Sequence, residues 1–304
     1  MSSIWKKFRA TLLRRPRDVI HASDGMLREI FNSVIRGMRQ GPNGAVATPM
    51  SFPVEELLAL KERHARAPLN LHTRILFGDA AIGGTGLLDL YDSCIRESDT
   101  AVSPWKTFAR IQGAANLARY FLHTLELDGA RAECGVFQGF SALFVCRAAA
   151  LTRGRFDGTG LHLIDSFEGF PKPRAEDFIP IRRGNETGSA PAFKEGEAAV
   201  SFEQVRGVFH DFPGVRFHRG FIPQVLSQLP DTLWAFVHID VDLHEPTLAS
   251  LEYFYPRMVK GGVIVCDDYG SKLFPGARKA WESYCEENAI AFVTLETGQS
   301  VLIK

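Results

Sequence analysis

The sequence predicts an α/β fold: a mostly parallel sheet covered by helices, with one antiparallel strand at its C-terminal end. From about residue 100 onward, short β-rich runs alternate with helical stretches, which is the pattern of parallel strands joined by crossover helices. The last two β-rich runs are separated only by residues 296–299, a connection short enough for a hairpin. A Gly/Pro-rich break at residues 41–53 interrupts a helical N-terminal part.

Residues 1–99 are predicted to be a helical N-terminal extension that caps the following domain. Residues 1–40 and 54–66 have helical patterning, whereas residues 77–87 are predicted to be a loop. Apolar and basic residues share helical spacing within residues 4–15. This helix is expected to pack on its own domain or on a second copy of the chain, and a weak membrane-surface contact is the alternative. We therefore expect a homo-oligomer.

Residues 100–304 contain the alternating elements of the sheet. The predicted strands lie at residues 131–135, 160–165, 215–219, 233–240, 262–267, 291–295 and 300–304. The predicted helices lie at residues 105–127, 141–151, 201–209, 224–229, 247–258 and 275–289. A parallel sheet that ends in an antiparallel hairpin is the layout of the class I methyltransferase variant of the Rossmann fold. In such sheets, ligands bind at the carboxyl ends of the strands.

Composition and charge argue against several classes of protein. The chain of 304 residues has a formal net charge of zero, so nothing favours nucleic acid, whose phosphates select basic surfaces. The apolar runs are too short for a transmembrane segment. Five scattered cysteines without CxxC spacing predict free thiols in a reducing, cytoplasmic compartment and argue against a structural zinc site.

A glycine-rich turn follows the first predicted strand of the sheet. Its pattern is ExGxxxG, with Glu133 at the strand tip, Gly135 in the turn and Gly139 where the next helix begins. The glycines permit a tight turn and close approach of a ligand, and the free N–H groups of the helix favour an anion. In a site for S-adenosylmethionine (SAM), that anion is the methionine carboxylate and Glu133 accepts from the ammonium group. The pattern is not GxGxxG, which weakens a nicotinamide interpretation.

A further acid, Asp165, ends the second predicted strand, 30 residues after Gly135. An acid at this point can accept hydrogen bonds from ribose hydroxyls, although a lone strand-end acid is often only a helix cap. The residues from Ser166 to Phe170 follow it and offer an aromatic ring near the adenine position. The two motifs fall at the carboxyl ends of consecutive strands, so together they favour a nucleotide site.

Four carboxylates follow the fourth and fifth predicted strands, at neighbouring strand tips. Asp240 and Asp242 follow the fourth strand, and Asp267 and Asp268 follow the fifth. Like charges this close repel each other unless they bind a cation or take up protons. Oxygen donors with room for water suit Mg²⁺ or another hard divalent ion. The alternative is a set of helix caps and surface acids.

Two histidines flank the first acidic pair. His238 lies inside the predicted strand and is expected to be a core residue. His244 lies beyond the strand tip, where it is either a metal ligand or base, or a loop histidine with ordinary hydrogen bonds.

These motifs together resemble the macrocin O-methyltransferase family, whose members methylate sugar hydroxyls on macrolides and related natural products. The runs that carry the resemblance are AECGVFQGFSA, IDSFEGFP, HIDVDLHEPTLASLEYFYPRMVKGGVIVCDDYG and FPGARKAWESY. The likeness covers about residues 100–304, and residues 240–269 are its most specific part. It implies a SAM-dependent methyltransferase domain over residues 100–304, with residues 1–99 as a separate extension.

The resemblance implies an O-methyltransferase that uses SAM and Mg²⁺. The implied acceptor is a small glycosyl or polyhydroxylated molecule, either a sugar or a glycosylated natural product. The implied metal ligands are Asp240, Asp267 and Asp268. The implied SAM contacts are Glu133, Gly135, Gly139, Ser141 and Asp165, to which we add Ser166 beside the last.

The chain departs from the family pattern in two places. His244 stands where the family usually has a tyrosine after its DxDL motif, and residues 171–200 contain no histidine that could serve as the base. The candidate bases are Asp240, Asp242 and His244. Residues 171–200, rich in charge, glycine and proline, are predicted to be a mobile lid over the substrate. The alternatives are a metal-dependent methyltransferase for catechol-like acceptors, an NAD(P)-dependent oxidoreductase, and a non-catalytic SAM-binding protein.

Overall fold

The structure, a computed structural model, describes residues 81–100, 107–183 and 186–304. The chain divides into two units. One unit comprises residues 82–85, 93–100 and 109–304 and holds the central sheet, and the described part of the other lies mainly in residues 86–92. The predictions made for residues 1–80, including the N-terminal helix and its contact with a membrane or a second copy, lie outside the described residues.

The described residues form short strands alternating with helices, as the sequence predicts from residue 100 onward. The strands are β1 (Ala81–Ile82), β2 (Thr85–Gly86), β3 (Ala130–Cys134), β4 (Leu161–Asp165), β5 (Phe178–Arg183), β6 (Glu186–Pro191), β7 (Arg216–Arg219), β8 (Trp234–Ile239), β9 (Met258–Cys266), β10 (Val293–Thr294) and β11 (Ser300–Ile303). The α-helices are α1 (Leu87–Glu97), α2 (Thr107–His123), α3 (Phe140–Arg153), α4 (Phe202–Val208), α5 (His244–Phe254) and α6 (Pro275–Glu287). Short 3₁₀ turns complete the connections.

A seven-stranded sheet with the order β10-β11-β9-β8-β3-β4-β7 forms the centre of its unit. The strands from β9 to β7 pair in parallel, whereas β11 runs antiparallel to both β9 and β10. The predicted parallel sheet with one antiparallel C-terminal strand is therefore confirmed. The order of strands reverses between β3 and β8: β4 and β7 follow on one side of β3, and β8 and β9 lie on the other. Because β3 and β8 are parallel neighbours, the residues that follow these two strands lie side by side.

The middle of the sheet is its most buried part. All six side chains of β8 are buried, as expected for a strand covered on both faces. Residues of α5 and α6 belong to the same buried cluster as those of β8, so these two helices cover one face. Trp234 of β8 packs edge-to-face against Phe254 of α5, with ring centroids 4.9 Å apart.

Several elements differ from the sequence prediction. The short strands β1 and β2 lie within residues 77–87, which were predicted to be a loop, and the helix predicted for residues 224–229 is a 3₁₀ turn at Gln224–Gln228. The helix α1 begins at the end of a segment predicted to be a loop, residues 77–87, and was not predicted. Strands β5 and β6 form an antiparallel hairpin within residues 171–200, where no strand was predicted. In the part of the chain that the structure describes, no helix is both long and apolar enough to cross a membrane.

Candidate active site

Three aspartates converge at the carboxyl edge of the sheet. Asp240 follows β8, whereas Asp267 and Asp268 follow β9. One carboxylate oxygen from each of the three lies within 4.8 Å of the other two. Backbone hydrogen bonds fix the positions of Asp240 and Asp267. The amide of Asp240 donates to the carbonyl of Cys134 at 2.8 Å, and that of Asp267 donates to the carbonyl of Ile239 at 2.9 Å. The parallel ladder thus extends one residue beyond each strand and holds the acids together.

The charges of these aspartates are strongly coupled. Burial and the charges of the neighbouring aspartates raise the pKa of Asp240 and of Asp268 well above the usual range. Burial alone would raise the pKa of Asp267 too, but the neighbouring imidazole of His238 and a hydrogen bond from Gln299 lower it. A divalent cation would relieve the repulsion, and hard cations such as Mg²⁺ prefer carboxylate oxygens. The donor set of this trio therefore fits Mg²⁺.

The loop after β8 carries the other two candidate bases. Asp242 has a φ of +60°, and its amide donates to Asp268 at 2.8 Å, so its backbone holds a neighbouring acid in place. His244 begins α5, and its amide donates to Asp177 at 2.8 Å. Among the described residues, two groups could hold a metal: the three aspartates, and a more exposed group of Glu97, His210 and Asp211. Neither group includes Asp242 or His244. The role of His244 as a base stays a prediction.

The glycine turn lies directly beside the acidic trio. Gly135 has a φ of +86°, and a Cβ atom there would lie 1.8 Å from the carbonyl oxygen of Asp240. Gly139 has a φ of +87°, and a Cβ atom there would meet the ring of Phe209 at 2.9 Å. Both positions therefore require glycine for conformation and for space. The turn leads into α3, whose first N–H groups have no partner within the helix.

Asp165 organises this turn from the end of β4. One of its oxygens accepts from the amides of Val136 and Phe137, at 2.7 and 2.9 Å, and the other accepts from the amide of Phe167 at 2.7 Å. Ser166 is buried, and its hydroxyl accepts from the amide of Glu168 at 3.1 Å. The two residues thus shape the turns at the predicted cofactor site, while their contacts with a ribose stay a prediction.

Glu133 is more enclosed than its position at a strand tip suggests. Only 2% of the residue is exposed. One carboxylate oxygen accepts from the hydroxyl of Ser141 at 2.8 Å, and the other lies 3.2 Å from Nδ1 of His238. Nε2 of the same histidine lies 3.5 Å from an oxygen of Asp267. His238 is thus a core residue, as predicted, but it also joins two acids of the candidate site.

Sequence reasoning missed this role of His238, and it missed Gln299. The amide nitrogen of Gln299 donates to Asp267 at 2.8 Å. The signal for His238 was its position as the one polar side chain in an otherwise apolar strand, WAFVHI. Gln299 carried no such signal, because it lies in the turn of the C-terminal hairpin, 32 residues from its partner.

The segment 171–200 is held against the first turns of α5 and α6. Asp177 is 2% exposed, and it accepts the amide of the first residue of α5. A Cβ atom on Gly276 would lie 1.9 Å from the same carboxylate oxygen, so α6 starts against it as well. The rings of Phe170, Phe193 and Phe274 pack together, with centroid distances from 4.6 to 6.2 Å. These contacts attach the segment predicted to be a lid to the neighbouring helices.

Comparison with known families gives one match over most of the described residues. The family described as macrocin-O-methyltransferase (TylF) matches residues 110–295. This stretch contains the glycine turn, Asp165 and all three aspartates of the trio.

Two curated proteins from Streptomyces are similar to part of the chain. The 8-demethyl-8-(2,3-dimethoxy-alpha-L-rhamnosyl)-tetracenomycin-C 4'-O-methyltransferase of Streptomyces olivaceus is 33% identical over 163 residues, which are 50% of this chain and 58% of the relative. The demethyldecarbamoylnovobiocin O-methyltransferase of Streptomyces niveus is 29% identical over 162 residues, 52% of this chain and 58% of the relative. The chain thus spans less than two thirds of the length of these curated relatives.

Two solved structures share the fold. The O-methyltransferase NovP superposes with a TM-score of 0.52 at 23% identity, covering 64% of this chain and 80% of NovP. The calicheamicin methyltransferase CalS11 superposes with a TM-score of 0.53 at 20% identity, covering 93% of this chain and 94% of CalS11. These likenesses confirm the class I methyltransferase variant of the Rossmann fold.

Proposed function

Because the chain belongs to the macrocin-O-methyltransferase family, we propose that it transfers a methyl group from SAM to a hydroxyl of a sugar or glycosylated natural product, with Mg²⁺ at the acidic trio. The observation that carries the proposal is the convergence of three carboxylates within 4.8 Å, beside a turn that only glycine can form at Gly135. Relatives named for the methylation of glycosylated natural products support this class of acceptor. Membership in a methyltransferase family gives no support to the NAD(P)-dependent oxidoreductase alternative.

The residues of the glycine turn would hold the methyl donor. Gly135 and Gly139 let the backbone approach it closely, and the start of α3 favours its carboxylate. Asp165 keeps the turn in this shape through its hydrogen bonds to Val136 and Phe137. Glu133 stays buried and braces the turn through Ser141. When bound, SAM supplies an activated methyl group on a sulfonium centre.

The acidic trio would hold the cation and through it the acceptor. Asp240, Asp267 and Asp268 supply three oxygen donors, which leaves coordination positions for two neighbouring hydroxyls of an acceptor. When bound, Mg²⁺ lowers the pKa of a coordinated hydroxyl, which is otherwise a poor nucleophile at neutral pH. A base near the trio would take the proton, and Asp240, Asp242 and His244 remain the candidates.

The proposal is tested by the double variant Asp267→Asn, Asp268→Asn. We expect it to lose transfer of labelled methyl groups to every acceptor in a panel of glycosylated compounds, because two of the three anionic ligands become neutral. The affinity for S-adenosylhomocysteine should stay within about threefold of the wild type, because the cofactor turn is untouched. The exposed Asp231→Asn is the matched control. Full turnover in the double variant, or in excess EDTA, would contradict the metal mechanism.

A catechol also offers two neighbouring oxygens, so the class of acceptor needs its own experiment. The same labelled assay is run with sugars, glycosylated natural products and catechols at equal concentration. Methylation of glycosyl hydroxyls is expected. Exclusive methylation of catechols would overturn the acceptor class while leaving the methyltransferase intact.

The location and assembly of the protein remain proposals. A cytoplasmic location is supported by the cysteines, all five of which are free and buried. A small-molecule acceptor, without nucleic acid, is supported by the names of the relatives and by the zero net charge. The homo-oligomer is tested by measuring the mass of the particle in solution.

A further inference from the structure

His238 lies between two acids that belong to different parts of the candidate site. It is the direct register partner of Glu133 across β3 and β8, and the two residues are 1% and 2% exposed. Nδ1 of the ring lies 3.2 Å from Oε2 of Glu133, and Nε2 lies 3.5 Å from Oδ1 of Asp267. One buried ring therefore contacts two carboxylates on its opposite sides.

Each end of this contact chain leads to a different ligand position. On one side, Oε1 of Glu133 accepts from Ser141 at the start of α3, where the methyl donor is proposed to bind. On the other side, Asp267 belongs to the acidic trio proposed to hold the cation. Oδ1 of Asp267 also accepts from Gln299, so Oδ1 receives both the Gln299 and the His238 contact, and Oδ2 receives neither.

Stability alone does not require a histidine at this position. The other five side chains of β8 are apolar and buried, as expected in the centre of the sheet. A buried imidazole costs free energy unless both nitrogens find partners. Nε2 has no hydrogen bond of good geometry, and its contact to Asp267 is 3.5 Å long. The histidine thus carries a cost that an apolar residue would avoid.

We propose that His238 is a positioning residue that holds Glu133 for the methyl donor through Nδ1 and Asp267 for the cation through Nε2. The inference rests on the proposed function, because it assigns the two ends to the two ligands of that reaction. A carboxylate that binds a metal generally depends on such a hydrogen-bonded neighbour for its orientation, and loss of the neighbour weakens binding by about 10- to 100-fold.

Two substitutions separate the two ends of the ring. In His238→Asn, the amide nitrogen takes the place of Nδ1 and keeps the contact with Glu133. In His238→Gln, the longer side chain places its amide nitrogen near Nε2 and keeps the contact with Asp267. For His238→Asn we expect Mn²⁺ affinity to fall about tenfold or more, and affinity for S-adenosylhomocysteine to stay within about threefold. For His238→Gln we expect affinity for S-adenosylhomocysteine to fall about tenfold or more and Mn²⁺ affinity to stay within about threefold.

Both affinities are measured on the full chain, with Mn²⁺ followed by electron paramagnetic resonance and S-adenosylhomocysteine by calorimetry. His162→Asn, a second buried histidine in the neighbouring strand β4, is the matched control and should change neither affinity. Loss of both affinities in parallel, or of neither, in the two His238 variants would overturn the positioning role. A wild-type protein that binds neither ligand would overturn the proposed function, and the inference with it.

Histidine resonances of the wild-type protein give a second measurement, which does not depend on folding of the variants. With ¹⁵N-labelled histidine, Mg²⁺ and S-adenosylhomocysteine, added separately, should each shift the ring signals of His238 and leave those of His162 in place. Signals of His238 that respond to neither ligand would contradict the inference.

Discussion

At the scale of single residues, the candidate site depends on glycine positions where the surrounding backbone leaves no space for a side chain. Gly135 is the sharpest case, because its positive φ and the carbonyl of Asp240 both exclude a side chain. Gly154, at the end of α3, also has a positive φ, +74°, but a Cβ atom there would meet nothing within 4 Å. The two glycines therefore separate the cost of conformation from the cost of a clash.

We predict that Gly135→Ala lowers the free energy of unfolding by more than about 3 kcal/mol, because strain and the clash act together. Gly154→Ala should lower it by only about 1–2 kcal/mol, the cost of a left-handed alanine. Urea denaturation measures both values, and S-adenosylhomocysteine binding should weaken only in the Gly135 variant. Equal destabilisation of the two variants would show that the close approach of β3 and β8 is not rigid.

At the scale of elements, the segment between β4 and α4 differs most from what its composition suggests. Its glycines, prolines and charges predict a mobile lid, yet the structure has a hairpin, β5 and β6, whose approach is fastened by the buried Asp177. Burial raises the pKa of this carboxyl, although the amide of His244 lowers it in part. The lid interpretation stays a prediction, and any movement of the segment would have to turn about this anchor.

We predict that Asp177→Ala raises the KM for the acceptor more than it lowers kcat, because the segment predicted to cover the acceptor loses its attachment to α5. The free energy of unfolding should fall by about 1–2 kcal/mol, as for the loss of a helix cap. The exposed neighbour Glu176→Ala is the control and should behave as the wild type. Unchanged kinetics in Asp177→Ala would separate the segment from acceptor binding.

At the scale of the whole molecule, one consequence of the sheet order is a histidine pair between β4 and the edge strand β7. The rings of His162 and His218 stack at 5.1 Å, with Nδ1 and Nε2 2.9 Å apart. Burial, followed by the charges of His218 and Arg216, lowers the pKa of His162 to about 4. The unfolded chain, with its histidines near the ordinary value of about 6.5, therefore binds protons that the folded protein does not bind.

We predict that the His162–His218 pair contributes a decrease in the free energy of unfolding as the pH is lowered from about 6.5 towards 4, because protons on these rings favour the unfolded state. Asp240 and Asp268, whose pKa values are raised in the folded protein, contribute with the opposite sign, so the pair is assessed by comparing variants. In His162→Phe this decrease should be smaller, while the exposed His210→Asn should follow the wild type. Urea denaturation at a series of pH values gives the comparison. Parallel curves for His162→Phe and the wild type would contradict the role assigned to this pair.

The sequence alone was sufficient for the central sheet and for the three aspartates. Alternation of strands and helices is a local pattern, and parallel strands must bring their carboxyl ends to one edge, so Asp240, Asp267 and Asp268 could be placed together. The same holds for the glycine turn, whose pattern follows directly from the strand before it. The hairpin β5–β6 could not be predicted, because its residues pack against distant elements rather than follow a strong local pattern.

Only the tertiary structure shows which groups the buried polar side chains contact. Glu133 and His238 are separated by 105 residues, and Asp267 and Gln299 by 32, so no local spacing relates them. The order of the strands makes them neighbours, and burial then obliges each polar atom to find a partner among the groups that happen to face it. The residues predicted for the site were therefore readable along the chain, whereas their connection through His238 depended on which strands lie side by side.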